Sequence, residues 1–215
     1  MYIGRIVCVA LTADGRLCAS YRVSSRSFPN RTAAVKPDKV SIIPKPGFEA
    51  DVQKNPYIAY NCARIVCGGK AAVVTNGSQT DAIAEKIAMG MPPRDALALS
   101  SLILDYEKDD FNTPRISAVA DVRDGSGWLA TVRHDALEVR RMPLSPGRFF
   151  YVATYEENAV SDQFGGDYDA SDADSACDFI LGKGVFAKRE KPVTAVAAIV
   201  SGGGFELAAK DVSVS

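Results

Sequence analysis

The chain has 215 residues, 47% of them hydrophobic and 24% charged, which is ordinary globular composition with enough apolar side chain for a sizeable core. Its formal net charge of −1 supplies no general field for nucleic acid or an anionic membrane, so neither is expected as a partner and any anion site must be local. No run approaches the roughly 18 apolar residues of a membrane span.

The opening Met1-Tyr2-Ile3-Gly4-Arg5 lacks the basic region and cleavage pattern of a secretory peptide. Tyr2 to Leu11 and Leu17 to Val23 read as strands joined by a hairpin turn at Asp14-Gly15. In the second strand Leu17, Ala19, Tyr21 and Val23 share one face and leave Cys18, Ser20 and Arg22 on the other. The strand runs into Arg22-Val-Ser-Ser-Arg-Ser-Phe-Pro-Asn-Arg31, with three arginines, three serines and an asparagine in ten residues. Planar guanidinium forks with hydroxyls between them suit a dianionic phosphate better than one carboxylate. A solvated turn whose arginines point apart fits the same composition. Pro29 favours the ordered alternative, because it fixes its own φ and restricts Phe28.

Thr32 to Lys36 and Lys39 to Ile43 form a second expected hairpin, with Pro37-Asp38 as its turn, and Pro44 to Pro56 reads as a surface loop. After Asn55-Pro-Tyr-Ile-Ala-Tyr-Asn-Cys62 come strands Ala63 to Val66 and Ala71 to Val74. Gly68-Gly69-Lys70 between them is no Walker motif, since the upstream glycine is absent and a strand follows. Thr75-Asn-Gly-Ser-Gln-Thr-Asp81 opens a helix with Thr80 as the expected N-cap and Gly90 as its stop. A ligand site at this helix start and a plain capped helix are both compatible with the residues.

Pro93 to Leu104 is a second helix, its buried face expected at Leu97, Ile103 and Leu104. It runs into Asp105-Tyr-Glu-Lys-Asp-Asp110, whose acids oppose the helix dipole unless something holds them there; a solvated charge run is the plainer reading. Beyond it the chain is β-rich: Ile116 to Val122, Trp128 to Arg133, Leu137 to Met142 and Arg148 to Thr154. Tyr155 to Tyr168 reads as irregular, and Ser171 to Asp174 as a capping box for a helix ending near Gly182. Asp167 to Asp178 fails as an EF-hand, because its sixth position is Asp172 where glycine is required. Val193 to Val200 and Phe205 to Ala209 close the chain as a hairpin. With no repeat and no linker, residues 1–215 are expected to form one α+β domain of antiparallel sheets covered by helices.

Five cysteines, with no C-x-x-C pair, fit a reduced, cytoplasmic chain. The single histidine, His134, lies between Arg133 and Asp135 and reads as a surface residue, which disfavours zinc and a Ser-His-Asp triad. From the residues alone, the arginine–serine stretch with Tyr57, Tyr60, Asn76 and Glu107 on other polar segments points to a phosphorylated small molecule handled without metal or cofactor.

Five blocks in order, Met1 to Arg5, Arg22 to Arg31, Asn55 to Cys62, Thr75 to Asp81, and Asp105 to Asp109 with Asn112-Thr-Pro-Arg115, resemble the archaeal-type IMP cyclohydrolase family. The resemblance is dense over residues 1–115 and loose beyond. It implies a four-layer αββα fold like that of the N-terminal-nucleophile hydrolases, two antiparallel sheets between helical layers. It also implies ring closure of 5-formamidoimidazole-4-carboxamide ribonucleotide (FAICAR) to IMP and water, the last step of purine synthesis. Tyr2 departs from those hydrolases, which expose Ser, Thr or Cys at that point, so a covalent role for the N-terminus is not expected. The roles implied are proton transfer for Glu107, hydrogen-bond donation or acid for Tyr60, orientation for Asn76, and phosphate binding or formyl polarisation for Arg31. Substrate contacts are expected from Arg22, Ser24, Ser25, Arg26, Ser27, Asn30 and Tyr57, and from Asn61, Gly77, Ser78, Asp105, Tyr106 and Arg115. Beyond a helix C-terminus, a partly buried Glu107 should have a raised pKa, with Lys108 and Arg115 pulling the other way. A homo-oligomer is expected. Two other readings stand beside this one: a noncatalytic purine-nucleotide-binding module, and an amidohydrolase of the same fold using an internal Cys or Ser.

Overall fold

The computed structural model describes residues 1–212. The first half contains β1 (Ile6–Leu11), β2 (Leu17–Ser24), β3 (Arg31–Lys36), β4 (Lys39–Pro44), the single turn α1 (Asp51–Lys54), β5 (Tyr60–Val66) and β6 (Ala71–Thr75). Two helices follow, α2 (Gln79–Ala88) and α3 (Pro93–Leu104), then β7 (Arg115–Asp121), β8 (Ser126–Val132), β9 (Leu137–Arg141), β10 (Arg148–Ala153) and β11 (Gly165–Asp167). Helix α4 (Ala173–Gly182) and the hairpin β12 (Pro192–Ser201) and β13 (Gly204–Asp211) complete the described residues.

The strands form two antiparallel sheets, ordered β11-β10-β1-β2-β12-β13 and β3-β4-β5-β6-β7-β8-β9. Alternation along β1 and β2 explains how the sheets stack. Val7, Val9, Leu17, Ala19, Tyr21 and Val23 pack with Val40, Ile42, Val74, Ile116 and Leu129 of the second sheet. Ile6, Cys8, Ala10 and Cys18 face outward, where α4 covers them with Ala176, Cys177 and Ile180 beside Phe149 and Phe186. On the far side, Ile83 and Ile87 of α2 and Leu97 of α3 lie over Val73, Val119 and Ala130. Both faces of each sheet are thus covered along their middle strands, so those strands are apolar on both sides.

Several local expectations are corrected. β1 begins at Ile6, because Gly4 takes φ 75° and a Cβ there would lie 2.0 Å from Thr154 Oγ1. The N-cap of α2 is Ser78; Thr80 is turned inward, its hydroxyl 2.6 Å from Thr75 Oγ1 and donating to Gly77 O. Leu97 is buried as expected, but Ile103 is 66% exposed, and α3 rests otherwise on Ala96, Ser100 and Ser101, whose small side chains let it sit close. The α4 capping box is one residue later than expected, with Asp172 as cap and Ser175 as its third-position partner. The expected loop 44–56 contains α1, and the irregular stretch 155–168 contains the short strand β11.

Arg22 is the main correction among the expected substrate contacts. It alternates outward with Cys18 and Ser20, as the strand pattern requires, and so lies under the C-terminal end of α4 with no solvent exposure. Its guanidinium donates to Ile180 O (3.3 Å), Leu181 O (3.1 Å), Arg189 O (2.7 Å) and Glu190 O (3.2 Å), and Nε donates to Ser24 Oγ (3.0 Å). Burial, and then the nearby charge of Arg189, bring its pKa down to about 10. Arg22 satisfies the orphan carbonyls of a helix end and pins the 189–190 segment. Replacing it (Arg22→Leu) strips donors from those carbonyls and is expected to lower stability by about 2 kcal/mol or more in urea unfolding. An unchanged midpoint would mean that the carbonyls find other partners.

Candidate active site

At the end of the sheets where β2, β6 and β10 stop and β1, β3, β5 and β7 start, a cavity of about 700 Å³ opens. The arginine–serine loop forms one side. It leaves the sheet at a register shift between β2 and β12, between Pro192 and Thr194, and Ser25 N then bonds to Lys191 O (3.1 Å). The extra residue of this bulge is Val193 of β12; β2 ends at Ser24, and Ser24, Ser25, Arg26 and Ser27 line the cavity. The turn is held by Ser25 Oγ accepting from Phe28 N (2.9 Å) and by Arg31 Nε donating to Phe28 O (3.0 Å). Arg31 lines the cavity although only 3% exposed, whereas Arg26 is exposed with its guanidinium carbon 4.1 Å from the Tyr2 ring centroid.

Glu107 lines the same cavity and is 1% exposed. The loop presenting it is bracketed by two positive-φ residues, Asp105 (56°) and Asn112 (46°), which end α3 sharply and turn the chain back. Asp109 ties this loop by accepting from Phe111 N, Thr113 N and Thr113 Oγ1, and Glu107 N bonds to Thr113 O (2.9 Å). That is what holds the acidic run beyond the helix. Glu107 Oε2 accepts from Arg5 Nη2 (3.3 Å); Oε1 has no hydrogen-bond partner and lies 3.7 Å from Arg115 Nη1. Burial raises the Glu107 pKa, against the opposing pull of Arg5 and then Arg115.

Behind Glu107 stands a chain of fully buried polar groups. Asn76 Oδ1 accepts from Ile116 N (2.8 Å) and Gln79 Nε2 (2.9 Å), and its Nδ2 donates to Pro114 O (2.9 Å). Gln79 Oε1 in turn accepts from Arg115 Nη1 (3.1 Å). Gly77 is packed against this group: a Cβ there would lie 2.6 Å from Arg115 Nη1 and 2.7 Å from Gln79 Oε1. Tyr60 lies nearby, its hydroxyl 2.5 Å from that of Tyr21 across the two sheets. Burial raises the Tyr60 pKa, while Arg31 and Arg5 favour its ionised form.

Of the residues expected at the site, Ser24, Ser25, Arg26, Ser27, Arg31, Tyr57 and Glu107 line the cavity. Asn76, Gly77 and Arg115 stand behind Glu107, and Tyr60 is outside the lining. The others are elsewhere. Asn61 donates to Asp81 and accepts from Ser41 Oγ, on the α2 side of β5. Asn30 contributes a backbone carbonyl to Lys45 N, and Ser78 is an exposed helix cap. Asp105 bonds to Lys108 and to Tyr106 N, and Tyr106 packs between Lys108 and His134. Arg5, Tyr2 and Tyr155 line the cavity without having been singled out. Alternation carried back from β1 puts Arg5 on the face of Val7 and Val9, toward the second sheet, which does not by itself mark a site residue; only its place in the opening block does.

None of the five cysteines lines the cavity, and burial pushes the thiols of Cys18 and Cys177 up to about 12. His134 is 65% exposed and lines a separate cavity of about 400 Å³ on the other side of Phe111 and Tyr155. Among the described residues, no group of three or more His, Cys, Asp or Glu is placed to hold a metal ion, and no helix is long and apolar enough to cross a membrane. The arrangement sets arginines and serines around one buried carboxylate, the class of site that suits a small anion.

Comparison with known proteins agrees with that class. Residues 2–204 match the family described as IMP cyclohydrolase-like protein, and the chain belongs to this family. It is 50% identical over 198 residues to the IMP cyclohydrolase of Methanosphaera stadtmanae, covering 92% of this chain and 94% of that one. It is 41% identical over 211 residues to the IMP cyclohydrolase of Methanocaldococcus jannaschii, covering 98% and 99%. With the IMP cyclohydrolase of Methanocella arvoryzae it shares 53% identity over 162 residues, 75% of this chain and 77% of that one.

The two arginines beside Glu107 set a testable order of acidity. In carbon NMR titration the Glu107 carboxyl is expected to titrate above the ordinary glutamate value. Arg5→Gln removes a charge that favours the carboxylate, so the midpoint should move further up. A midpoint that falls on losing Arg5 would show that this pair does not govern the titration.

Proposed function

We propose that this protein is an IMP cyclohydrolase, closing the ring of FAICAR to give IMP and water. The observation that carries the reading is Glu107: a buried carboxylate with an unpartnered oxygen, lining the same cavity as Arg26 and Arg31. The nucleophile belongs to the substrate, so the site must fold the carboxamide nitrogen onto the formyl carbon and need not supply a covalent group. Glu107 Oε1 accepts the carboxamide proton as the N–C bond forms, and a raised pKa brings that carboxylate nearer the working pH. The formyl oxygen takes up negative charge, which Arg31 and Arg5 stabilise as fixed donors. Protonated, this oxygen leaves as water while the former formamide nitrogen gives up its proton and forms the C=N bond. Glu107 carries these protons, and Tyr60, behind the lining and close to Arg5 and Arg31, acts on the site through them.

Arg26 with Ser25 and Ser27 holds the phosphate, and Tyr57 flanks the substrate. Asn76, Gln79, Gly77 and Arg115 position Glu107 from behind. The sheets, with α4 on one outer face and α2 and α3 on the other, are read as the four-layer αββα fold of the N-terminal-nucleophile hydrolases, forming one domain. A cytoplasmic homo-oligomer completes the reading, and the five unpaired thiols support a reducing compartment.

Purified protein is expected to form IMP from FAICAR in excess chelator, and Glu107→Gln to slow ring closure by roughly a hundredfold or more with IMP binding retained. Binding without turnover in the parent would leave a nucleotide-binding module; near-parental turnover by Glu107→Gln would send the proton elsewhere. Arg26→Ala should weaken IMP about tenfold to a hundredfold and inosine far less, since a charge-assisted contact is worth about 1.5–3 kcal/mol. Equal losses for the two ligands in calorimetric titration would take Arg26 off the phosphate.

A further inference from the structure

The three arginines of the 22–31 stretch are held in three different ways. Arg22 is saturated by protein acceptors, and Arg31 is buried and tied to Phe28 O. Arg26 is exposed, and among the described residues no carboxylate or carbonyl accepts from its guanidinium. Glu190, whose charge reaches Arg26, is itself paired with the Met1 amine at 2.8 Å. What Arg26 has is a ring: its guanidinium carbon sits 4.1 Å from the Tyr2 centroid. A cation over a π-face is attracted without using its N–H groups, so the five donors stay free for a ligand. The ring is fixed in turn, its hydroxyl donating to Ser24 O (3.4 Å) and the ring packed beside Tyr155, centroids 6.0 Å apart. Tyr2 and Arg26 both line the cavity.

We infer that Tyr2 is a positioning residue for the phosphate monoester of the ligand, holding Arg26 over the cavity with its donors unspent. The inference rests on the nucleotide reading above. A free arginine loses much side-chain freedom when it captures an anion, and ordering it beforehand removes that cost from binding.

Calorimetric titration with IMP and with inosine tests this. Tyr2→Leu is expected to lower IMP affinity about threefold to tenfold, the scale of an exposed cation–π contact, and to leave inosine unchanged. Tyr2→Phe keeps the ring and should stay within about twofold of the parent on that scale. In an Arg26→Ala background Tyr2→Leu should cost nothing further, because the pair acts as a unit. A loss shared by inosine, or one persisting without Arg26, overturns the inference and leaves Tyr2 a packing residue. If the parent itself does not prefer IMP over inosine, the nucleotide reading fails instead. If Tyr2→Leu does not fold, NMR of the unsubstituted protein decides: Arg26 side-chain protons shifted upfield by the ring support the inference, and unshifted ones overturn it.

Discussion

A buried carboxylate between two guanidinium groups is the constraint on which the site depends. Taking a carboxylate out of water costs several kcal/mol even after relaxation, and nearby opposite charge must offset it. Arg5 and Arg115 do so incompletely, because only Arg5 is within hydrogen-bond reach and Oε1 is left without a donor. Fully satisfied, Glu107 would be a structural ion pair of depressed basicity. With one oxygen vacant and its charge penalised by burial, it is an acceptor in want of a proton. The chain Asn76–Gln79–Arg115 keeps it so, because Arg115 Nη1 is drawn to Gln79 at 3.1 Å while Glu107 Oε1 lies at 3.7 Å.

The Arg22 to Arg31 stretch shows how one composition serves several ends. Period-two alternation sends Arg22 to the helix side of its sheet, where it caps α4. After the bulge opposite Pro192 the chain is no longer in the sheet, and Arg26 and Arg31 both reach the cavity. Strand geometry, and not residue type, separates the structural arginine from the others. The same alternation was in the sequence, but it does not say which face of β2 a helix covers, and Ser24 on the Arg22 face lines the cavity.

Most of the architecture was legible because it rests on local signals. Asp14-Gly15 and Pro37-Asp38 mark hairpins, and the apolar runs beside them became strands. Helix starts were less legible. Thr80 was a better cap than Ser78 on local rules, but its hydroxyl found Thr75 in the interior, a partner only the sheet could supply. Ile103 misled for a related reason: beside Leu97, α3 packs through Ala96, Ser100 and Ser101, so large side chains alone do not mark the buried face. At the site, Glu107 and the loop residues could be named from their blocks, but Arg5 could not be ranked. Its importance lies in a contact across 102 residues of chain.

The Tyr21–Tyr60 bond joins hydroxyls from opposite sheets, and the fields of Arg5 and Arg31 act on both rings. The surroundings of the cavity are therefore stitched to the seam of the sandwich. Any slippage of one sheet over the other would stretch that stitch before it opened the hydrophobic interior, because a hydrogen bond fails over a few tenths of an ångström and apolar contact does not. The hydroxyl pair thus works as a strain gauge: small changes in how the sheets sit would register first as a lengthened contact behind the cavity, before they registered as loss of structure.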